Sequence, residues 1–230
     1  MRKWVCWIFL FLIFFCLVGC SLGNREERSA IIRCIEAGMP AELQDSVVPP
    51  EVAEAALDEN GNFALSSEQA EVLKTDYAAS LTPYYTGNIV MRLTSNHNNS
   101  MDVMASPGWQ GDVTVRAGMT DPEVTNISLE ENTATAWVSN IQWIISVEPG
   151  ETPETFGKWV VTMIPDKCKV HYTLEKTEEG WKISGDDEFI LLGAPENYDS
   201  YCGTYPTFAA ALAGAKDVDP EALIYSSGKE

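Results

Sequence analysis

Residues 168–183 read CKVHYTLEKTEEGWKI, and this stretch decides the fold. Side chains alternate between the two faces of a strand. The first half places its apolar residues on one parity: Cys168, Val170, Tyr172 and Leu174. A short polar loop ending at Gly180 leads to a second strand that carries Trp181 and Ile183. The pattern therefore predicts an antiparallel hairpin with one apolar face and one polar face.

Three helices are predicted upstream of this hairpin. The first starts with Asn24 as its N-cap and ends at Gly38 and Pro40. The second starts at Pro50, which is a favoured first-turn residue. The third opens with residues 66–69, carries an apolar stripe, and runs to about Thr82.

From Asp112 onward the apolar pattern has a period of two, which is typical of strands. The predicted strands cover 112–117, 123–129, 133–147, 157–164, 168–176 and 181–191. In the long third strand, one parity is shared by Trp137, Ile141, Trp143, Ile145 and Val147.

Two parts of the chain have weaker patterns. Residues 89–93 fit either a strand or a continued helix, and residues 95–100 read as a polar loop. Near the C-terminus, residues 201–205 read as a loop and residues 206–213 as a short helix. This tail is either a packed extension or a mobile end.

Helices followed by a run of antiparallel strands indicate an α+β fold, with N-terminal helices packed on a strongly curved sheet. We expect an antiparallel meander with a C-terminal extension. The predicted organisation is an N-terminal signal segment at 1–19, whose type is argued below, a tether at 20–24, an α+β domain at 25–193 and the extension at 194–230.

The charge of the chain limits its partners. Removing Arg2 and Lys3 with the signal peptide leaves 13 basic residues against 34 acidic ones, a net charge of −21. Binding to nucleic acid requires a basic surface, so this composition argues against it. It also argues against electrostatic attraction to anionic lipids.

The N-terminus has the pattern of a secretory signal. A positive start, Arg2 and Lys3, is followed by the apolar run 4–18 and then by Gly19 and Cys20. The tetrad 17–20, LVGC, resembles the bacterial lipobox, in which the cysteine receives fatty acyl chains such as palmitate. We therefore expect Cys20 to be lipidated and to hold the protein on the outer side of a bacterial membrane. The alternatives are plain secretion and an uncleaved anchor, the latter because residues 4–24 carry no charge and could span a bilayer.

The order of three helices, a bent sheet and the hairpin residues 170–183 resembles the nuclear transport factor 2-like (SnoaL-like, cystatin-like) superfamily, as found in bacterial lipoproteins. The resemblance covers about 25–192, and its specific part is the hairpin alone. It implies a cone with a pocket at its open end. Members of the family include small-molecule isomerases and dehydratases as well as non-catalytic binding or assembly domains, so the fold alone does not select a function.

No catalytic pair can be assigned from the sequence. Enzymes of this family use an acid–base pair inside the cone. Of the two histidines, His171 lies on the polar parity of its strand and His97 lies in the predicted loop, so we expect neither to point inward. The acidic run 186–188 alternates in direction along a strand, which favours a solvated surface over a metal site.

Aromatic residues on strand and helix faces are the best candidates for lining a pocket, although such residues form cores more often than ligand platforms. The candidates are Tyr77, Trp137, Trp143, Trp159, Tyr172 and Trp181. The spacing of residues predicts neither a metal site nor a cofactor. With Cys20 lipidated, the mature chain keeps Cys34, Cys168 and Cys202, which allows one disulfide and one free thiol.

The sequence thus favours a lipid-anchored protein of the bacterial cell envelope, with a non-catalytic domain that binds a small ligand or an envelope protein. The alternative is a small-molecule isomerase, dehydratase or hydrolase of the cone type. A buried carboxylate or histidine facing a pocket would favour the enzyme, and a pocket lined only by apolar residues would favour binding.

Overall fold

The computed structural model describes residues 24–148, 158–163, 168–191 and 200–222. Residues 24–42 are helical and are called α1 here. The remaining helices are α2 (Pro50–Ala55), α3 (Ser67–Leu81), α4 (Gly87–Met104) and α5 (Phe208–Lys216). The predicted signal peptide and Cys20 lie outside the described residues. Within the described residues, no helix combines the length and the apolarity needed to cross a membrane.

Helix α3 confirms its prediction in detail. The Ser66 hydroxyl accepts a hydrogen bond from the Gln69 amide, and the Gln69 side chain accepts one from the Ser66 amide. This reciprocal capping box satisfies two amides that the first turn would otherwise leave free. The buried stripe is Ala70, Leu73, Tyr77 and Leu81.

Helix α1 does not end where the sequence predicted. It continues past Gly38 and Pro40 to residue 42. A Cβ atom on Gly38 would lie 3.0 Å from Tyr84 Cβ and 3.2 Å from Ile183 Cδ1. Gly38 therefore allows close packing and does not end the helix. Pro40 removes one backbone donor near the C-terminal end of the helix, and the next turn still forms, with the Leu43 amide donating to the Met39 carbonyl.

The predicted loop at 95–100 is wrong, because these residues belong to α4. The buried residues of α4 are spaced three to four apart: Leu93, His97, Met101 and Met104. The residues between them are mostly polar and lie on the outer side, so the apolar signal was too sparse to indicate a helix. His97 consequently lies in the core, where its side chain is only 2% exposed.

In the part of the chain that the structure describes, six strands form one sheet: β1 (Val113–Leu129), β2 (Thr133–Glu148), β3 (Lys158–Met163), β4 (Cys168–Thr177), β5 (Gly180–Leu191) and β6 (Ser200–Thr204). Two predicted strands, 112–117 and 123–129, are joined in β1, whose pairing with β2 has three register shifts. The sequence prediction missed β6, because residues 201–205 read as a loop. The hairpin of β4 and β5 is confirmed, with Thr177 paired to Gly180 at its turn.

The sheet is not a simple meander. The strand order is β5-β4-β2-β3-β6, and β1 pairs with the other edge of β2. All pairings between these strands are antiparallel. The first half of β2 pairs with β4 through residues 133–140, and its second half pairs with β3 through 143–148. The sheet is therefore antiparallel and not closed, and together with the helices it forms an α+β fold.

Where β2 changes its partner from β4 to β3, the face of β2 that is buried also changes. From Ala134 to Asn140 the even positions are buried, together with Ser139, whereas from Ile141 to Val147 the buried residues are all on odd positions: Ile141, Ile145 and Val147. The predicted single parity for this strand is therefore wrong. Trp137 lies between two buried positions, Ala136 and Val138, on the opposite face of the strand, while Ile145 and Val147 face the core.

The helices pack on the sheet in two buried clusters. One joins α2, α3, α4 and α5 to β1 and the second half of β2. The other joins α1 and the C-terminal half of α3 to the first half of β2 and the hairpin of β4 and β5. Cys34 in the second cluster and Cys168 at the start of β4 are both buried free thiols, and burial raises the pKa of Cys34 to about 11. They behave as small core residues.

The C-terminal helix is fastened to β1 by Arg116. Its Nη1 atom donates to the carbonyl oxygens of Ala215, Lys216 and Val218, at 3.3, 3.2 and 2.8 Å. These carbonyls lie at and just after the end of α5, where a positive charge also interacts favourably with the helix dipole. The described part of the C-terminal segment is therefore packed against the sheet.

Candidate functional site

The last turn of α1 carries the carboxyl group around which the site is built. Glu42 Oε2 accepts hydrogen bonds from the hydroxyl of Tyr85, at 2.8 Å, and from the hydroxyl of Tyr172, at 3.1 Å. A third tyrosine, Tyr77, donates to the backbone carbonyl of Glu42 at 3.2 Å. Hydroxyl groups from the helical layer and from the sheet thus meet on one residue.

Backbone pairing positions the Tyr85 donor. The Ile183 amide donates to the Tyr84 carbonyl at 2.7 Å, and the Thr86 amide donates to the Ile183 carbonyl at 2.9 Å. These two bonds hold the segment between α3 and α4 beside β5. Tyr172 is fixed within β4 and is only 3% exposed. The two tyrosine donors are therefore held by paired backbone, Tyr85 beside β5 and Tyr172 within β4.

The surroundings of Glu42 raise its pKa. Removal from water disfavours the charged carboxylate, and this effect outweighs the hydrogen bonds from Tyr85 and Tyr172, which lower the pKa. Asp186 raises it further, and Arg92 lowers it. Burial also raises the pKa of both tyrosines, so they remain hydroxyl donors at neutral pH.

Glu42 borders a cavity of about 400 Å³ between the end of α1 and the sheet. Its wall consists of Met39, Glu42, Leu43, Gln142, Val170, Tyr172, Asp186 and Asp187. The apolar side chains come from both layers, and the acidic ones lie at the end of α1 and on β5. Asp186 is paired with Arg92 at 2.5 Å, and Asp187 accepts from the Thr173 hydroxyl at 3.1 Å.

These acidic residues do not form a metal site in the described part of the chain, where no group of three or more suitable ligands is found. Asp186 and Asp187 turn to different partners, as alternation along a strand requires. His171 Nδ1 lies 3.6 Å from Asp187, and its ring stacks on Trp137 with 4.8 Å between centroids. His171 is half-buried against this tryptophan.

A separate groove of about 550 Å³ lies between α2 and α3. It is larger than the cavity at Glu42, but most of its lining is apolar. Its lining residues are Gln44, Val47, Pro49, Glu51, Val52, Ala55, Glu68, Gln69, Val72, Leu73, Asp76, Tyr77, Ser80 and His97. This groove is called the α2–α3 groove below.

His97 lies beneath the α2–α3 groove in a fixed tautomer. Its Nδ1 atom is 2.6 Å from the Asp45 carbonyl, and because a carbonyl only accepts, Nδ1 carries the proton. Burial lowers the His97 pKa, so the ring is neutral at neutral pH. The Leu73 carbonyl acts against burial and raises the His97 pKa. Among the described residues, Nε2 has no partner within hydrogen-bonding geometry. Nε2 is also sealed from solvent, so His97 is a core residue.

The candidate pocket residues are distributed over several places. Tyr172 borders the cavity, whereas Tyr77 borders the α2–α3 groove and stacks on His97 with 4.3 Å between centroids. Trp181 is buried in the core, and its Nε1 atom donates to Glu27 Oε2 at 2.5 Å.

Trp137 and Trp143 do not line the cavity at Glu42. Trp137 stacks on His171, as described above. Trp143 lies across Gly118 on the neighbouring strand, where an added Cβ would be 2.4 Å from the Trp143 ring. Trp159 pairs with Val147 and Gly203 through its backbone, and its side chain lies outside the described residues.

Sequence reasoning missed Glu42 and Tyr85, which hold the centre of the site. A signal for Glu42 was present, because it continues the apolar stripe of Ile31, Ile35 and Met39 at helical spacing. Ending α1 at Gly38 hid that relation. Tyr85 lies in a connection between helices, where no periodicity indicates its direction.

No protein-family model matches the chain, and no curated protein sequence matches it. Among solved structures, the crystal structure of the intermembrane space region of the chloroplast protein ARC6 aligns with 66% of this chain and 92% of its own length. The sequence identity is 10% and the TM-score is 0.35. Similarity at this level supports no conclusion about function, and the α+β fold rests on the geometry of this chain itself.

Proposed function

We propose that this protein is a lipid-anchored protein of the bacterial cell envelope that binds a small organic cation in the cavity at Glu42. The observation that carries the proposal is a desolvated carboxyl group, fixed by two tyrosine hydroxyls, on the wall of a cavity of about 400 Å³. The cone shape and membership of the nuclear transport factor 2-like (SnoaL-like, cystatin-like) superfamily are part of the proposal. The cone shape and the superfamily membership are supported by the packing of helices on one unclosed antiparallel sheet, with the cavity between the two layers.

The chemistry of the wall selects a cation. No basic side chain borders the cavity among the described residues, whereas three carboxyl groups do. Both tyrosines donate to the same oxygen of Glu42, and no hydrogen bond within the described residues reaches Oε1. An ammonium group at Oε1 would provide the missing charge partner. Met39, Leu43 and Val170 would contact the apolar body of such a ligand.

The size of the cavity fits a ligand of about the size of a substituted aromatic amine. Ligand pockets in proteins usually enclose about 300–1,000 Å³, so this cavity lies near the lower limit. Because a bound cation favours the ionised carboxylate, binding should release a proton from Glu42. Affinity should then increase as the pH rises through the pKa of Glu42.

The test uses three probes of matched shape: benzylamine, benzyl alcohol and benzoate. We expect benzylamine to bind about tenfold or more tightly than benzyl alcohol in calorimetric titrations, and benzoate not to bind, since a charge-assisted bond adds about 1.5–3 kcal/mol. Glu42→Gln should remove the preference for the amine. The matched control is Glu51→Gln, which makes the same change at the α2–α3 groove and should leave the preference intact. Equal binding of all three probes, or preference for benzoate, would contradict the cation assignment.

The anchoring part of the proposal concerns Cys20. Without the thiol, no acyl chain can be attached, so Cys20→Ala should abolish incorporation of a fatty-acid analogue supplied to growing cells. Equal labelling of the wild type and the variant would refute lipidation. Retention in the membrane fraction is a weaker readout, because an unprocessed signal segment also anchors the chain.

A specific observation favours a second function, which is acid–base catalysis by Glu42: a buried carboxyl group facing a pocket is the feature expected of an enzyme of the cone type, and Glu42 is such a group. A carboxyl group with a raised pKa keeps its proton to higher pH than an exposed carboxyl group does, so beside a cavity it can give a proton to a bound molecule and take it back. In that case the bound molecule would be converted, and Glu42→Gln would abolish turnover. Proton NMR spectra of the ligand before and after incubation with the protein distinguish binding from conversion.

A further inference from the structure

The α2–α3 groove has the shape of a seat for a helix. Its α3 wall contains residues at successive helical turns: Glu68, Gln69, Val72, Leu73, Asp76, Tyr77 and Ser80. These positions form one stripe, because residues three and four apart lie on the same face of a helix. At about 1.5 Å per residue, the stripe is about 18 Å long, which is about three turns of a helix lying beside it.

The floor of the groove is apolar and partly uncovered. Val72 is 54% exposed, which makes it one of the few large apolar side chains exposed among the described residues. Val52 from α2, which is half-buried, and Leu73 from α3, which is buried, complete the apolar strip next to it. A partly exposed apolar strip enclosed by polar residues is typical of surfaces that receive another chain.

The rim of the groove is acidic on both sides. Glu51 on α2 and Glu68 and Asp76 on α3 border it, all three exposed. Among the described lining residues no side chain is basic apart from His97, which is neutral. A partner that fills the apolar strip must therefore carry positive charges along its flanks to be complementary.

We propose that the α2–α3 groove binds an amphipathic helix of another protein, with apolar residues facing Val72 and Lys or Arg residues along both flanks. This is the helix-in-groove mode of recognition, in which side chains at helical spacing enter an apolar groove. The site is separate from the cavity at Glu42, and the proposal does not depend on the cation.

The experiment measures fluorescence anisotropy of a labelled 14-residue peptide of leucine and lysine, arranged so that the leucines share one helical face. One control peptide has the same composition in scrambled order and has no apolar face. A second control peptide replaces every lysine with glutamate. At physiological ionic strength, we expect the amphipathic lysine peptide to bind about tenfold more tightly than the scrambled peptide, and the glutamate peptide not to bind.

Two protein variants locate the contact. Val72→Glu places a charge in the strip, and Met91→Glu places the same charge at an exposed position of α4 outside the groove. If the lysine peptide bound by charge alone, its affinity would increase or stay constant in both variants, because each variant adds a negative charge. Groove binding predicts about tenfold weaker binding in Val72→Glu and less than twofold change in Met91→Glu. Both residues are exposed, so thermal melting should confirm that both variants remain folded.

Equal binding of the scrambled and amphipathic peptides would overturn the proposal, and so would unchanged binding by Val72→Glu. Binding of the glutamate peptide would overturn the charge assignment that selects the partner. Loss of peptide binding in Val72→Glu alone, with benzylamine titrations unchanged, would support the groove as a site of its own.

Discussion

Replacing Trp181 with alanine should lower the free energy of unfolding by about 3–5 kcal/mol. The ring is 7% exposed and lies in the cluster that joins α1 to the hairpin of β4 and β5. Its removal leaves a cavity and also removes the donor to Glu27. Glu27 additionally accepts from Lys176 at 2.5 Å, so one carboxylate connects α1 to both strands of the hairpin.

Two further variants separate burial from hydrogen bonding. Trp181→Phe keeps an aromatic ring but removes the N–H group, and we expect it to cost about 1–2 kcal/mol. Glu178→Ala, in the exposed turn of the same hairpin, should change stability by less than about 0.5 kcal/mol. Urea unfolding curves measure all three variants. A loss below about 1 kcal/mol in Trp181→Ala would mean that the hairpin does not pack on α1 as described.

Replacing Glu42 with glutamine should change how stability depends on pH. The pKa of Glu42 is raised in the folded protein above its value of about 4.3 in an unfolded chain. Its contribution to stability is therefore fully present below about pH 4.3 and is lost as the pH rises through the folded-state pKa. Glutamine does not titrate, so Glu42→Gln should become progressively more stable than the wild type across that interval.

The measurement is the difference in unfolding free energy between Glu42→Gln and the wild type at several pH values from 4 to 8. Other ionisable groups titrate in both proteins and largely cancel in the difference. The groups around Glu42 are Tyr77, Tyr85, Tyr172, Asp186 and Arg92, and all of them are present in both proteins. A difference that is constant with pH, or that shifts in favour of the wild type at higher pH, would show that the carboxyl group is not desolvated.

The hairpin was predictable because one local pattern determines it. Alternation of apolar residues and a glycine at the turn specify strand, facing and register together. Gly180 has a φ of 119°, a conformation that favours glycine, at the position where the sequence placed the turn. The same alternation failed in β2, because this strand changes partner from β4 to β3 and reverses its facing near Asn140. This change of partner depends on contacts between residues that are distant in sequence.

The site was less predictable than the fold for a related reason. Glu42 and Tyr172 are 130 residues apart and meet only when α1 packs on the sheet. Tyr172 was expected near a pocket from its strand parity, whereas Glu42 was hidden by ending α1 too early. His97 shows the converse case, since its polar neighbours indicated a loop while one face of α4 was buried. A polar residue on a buried helix face does not add to the spacing of apolar residues, so that spacing does not reveal its burial.

The most direct test of the central claim is the position of a bound ligand, followed through methionine methyl groups by NMR. Met39 borders the cavity, whereas Met91 is 65% exposed on α4 and borders neither the cavity nor the α2–α3 groove. Titration with benzylamine should shift the methyl resonance of Met39 in a saturable manner and leave that of Met91 unchanged. The Met39 shift should be lost in Glu42→Gln. A bound amine that leaves Met39 unaffected would contradict the assignment of this cavity as the ligand site.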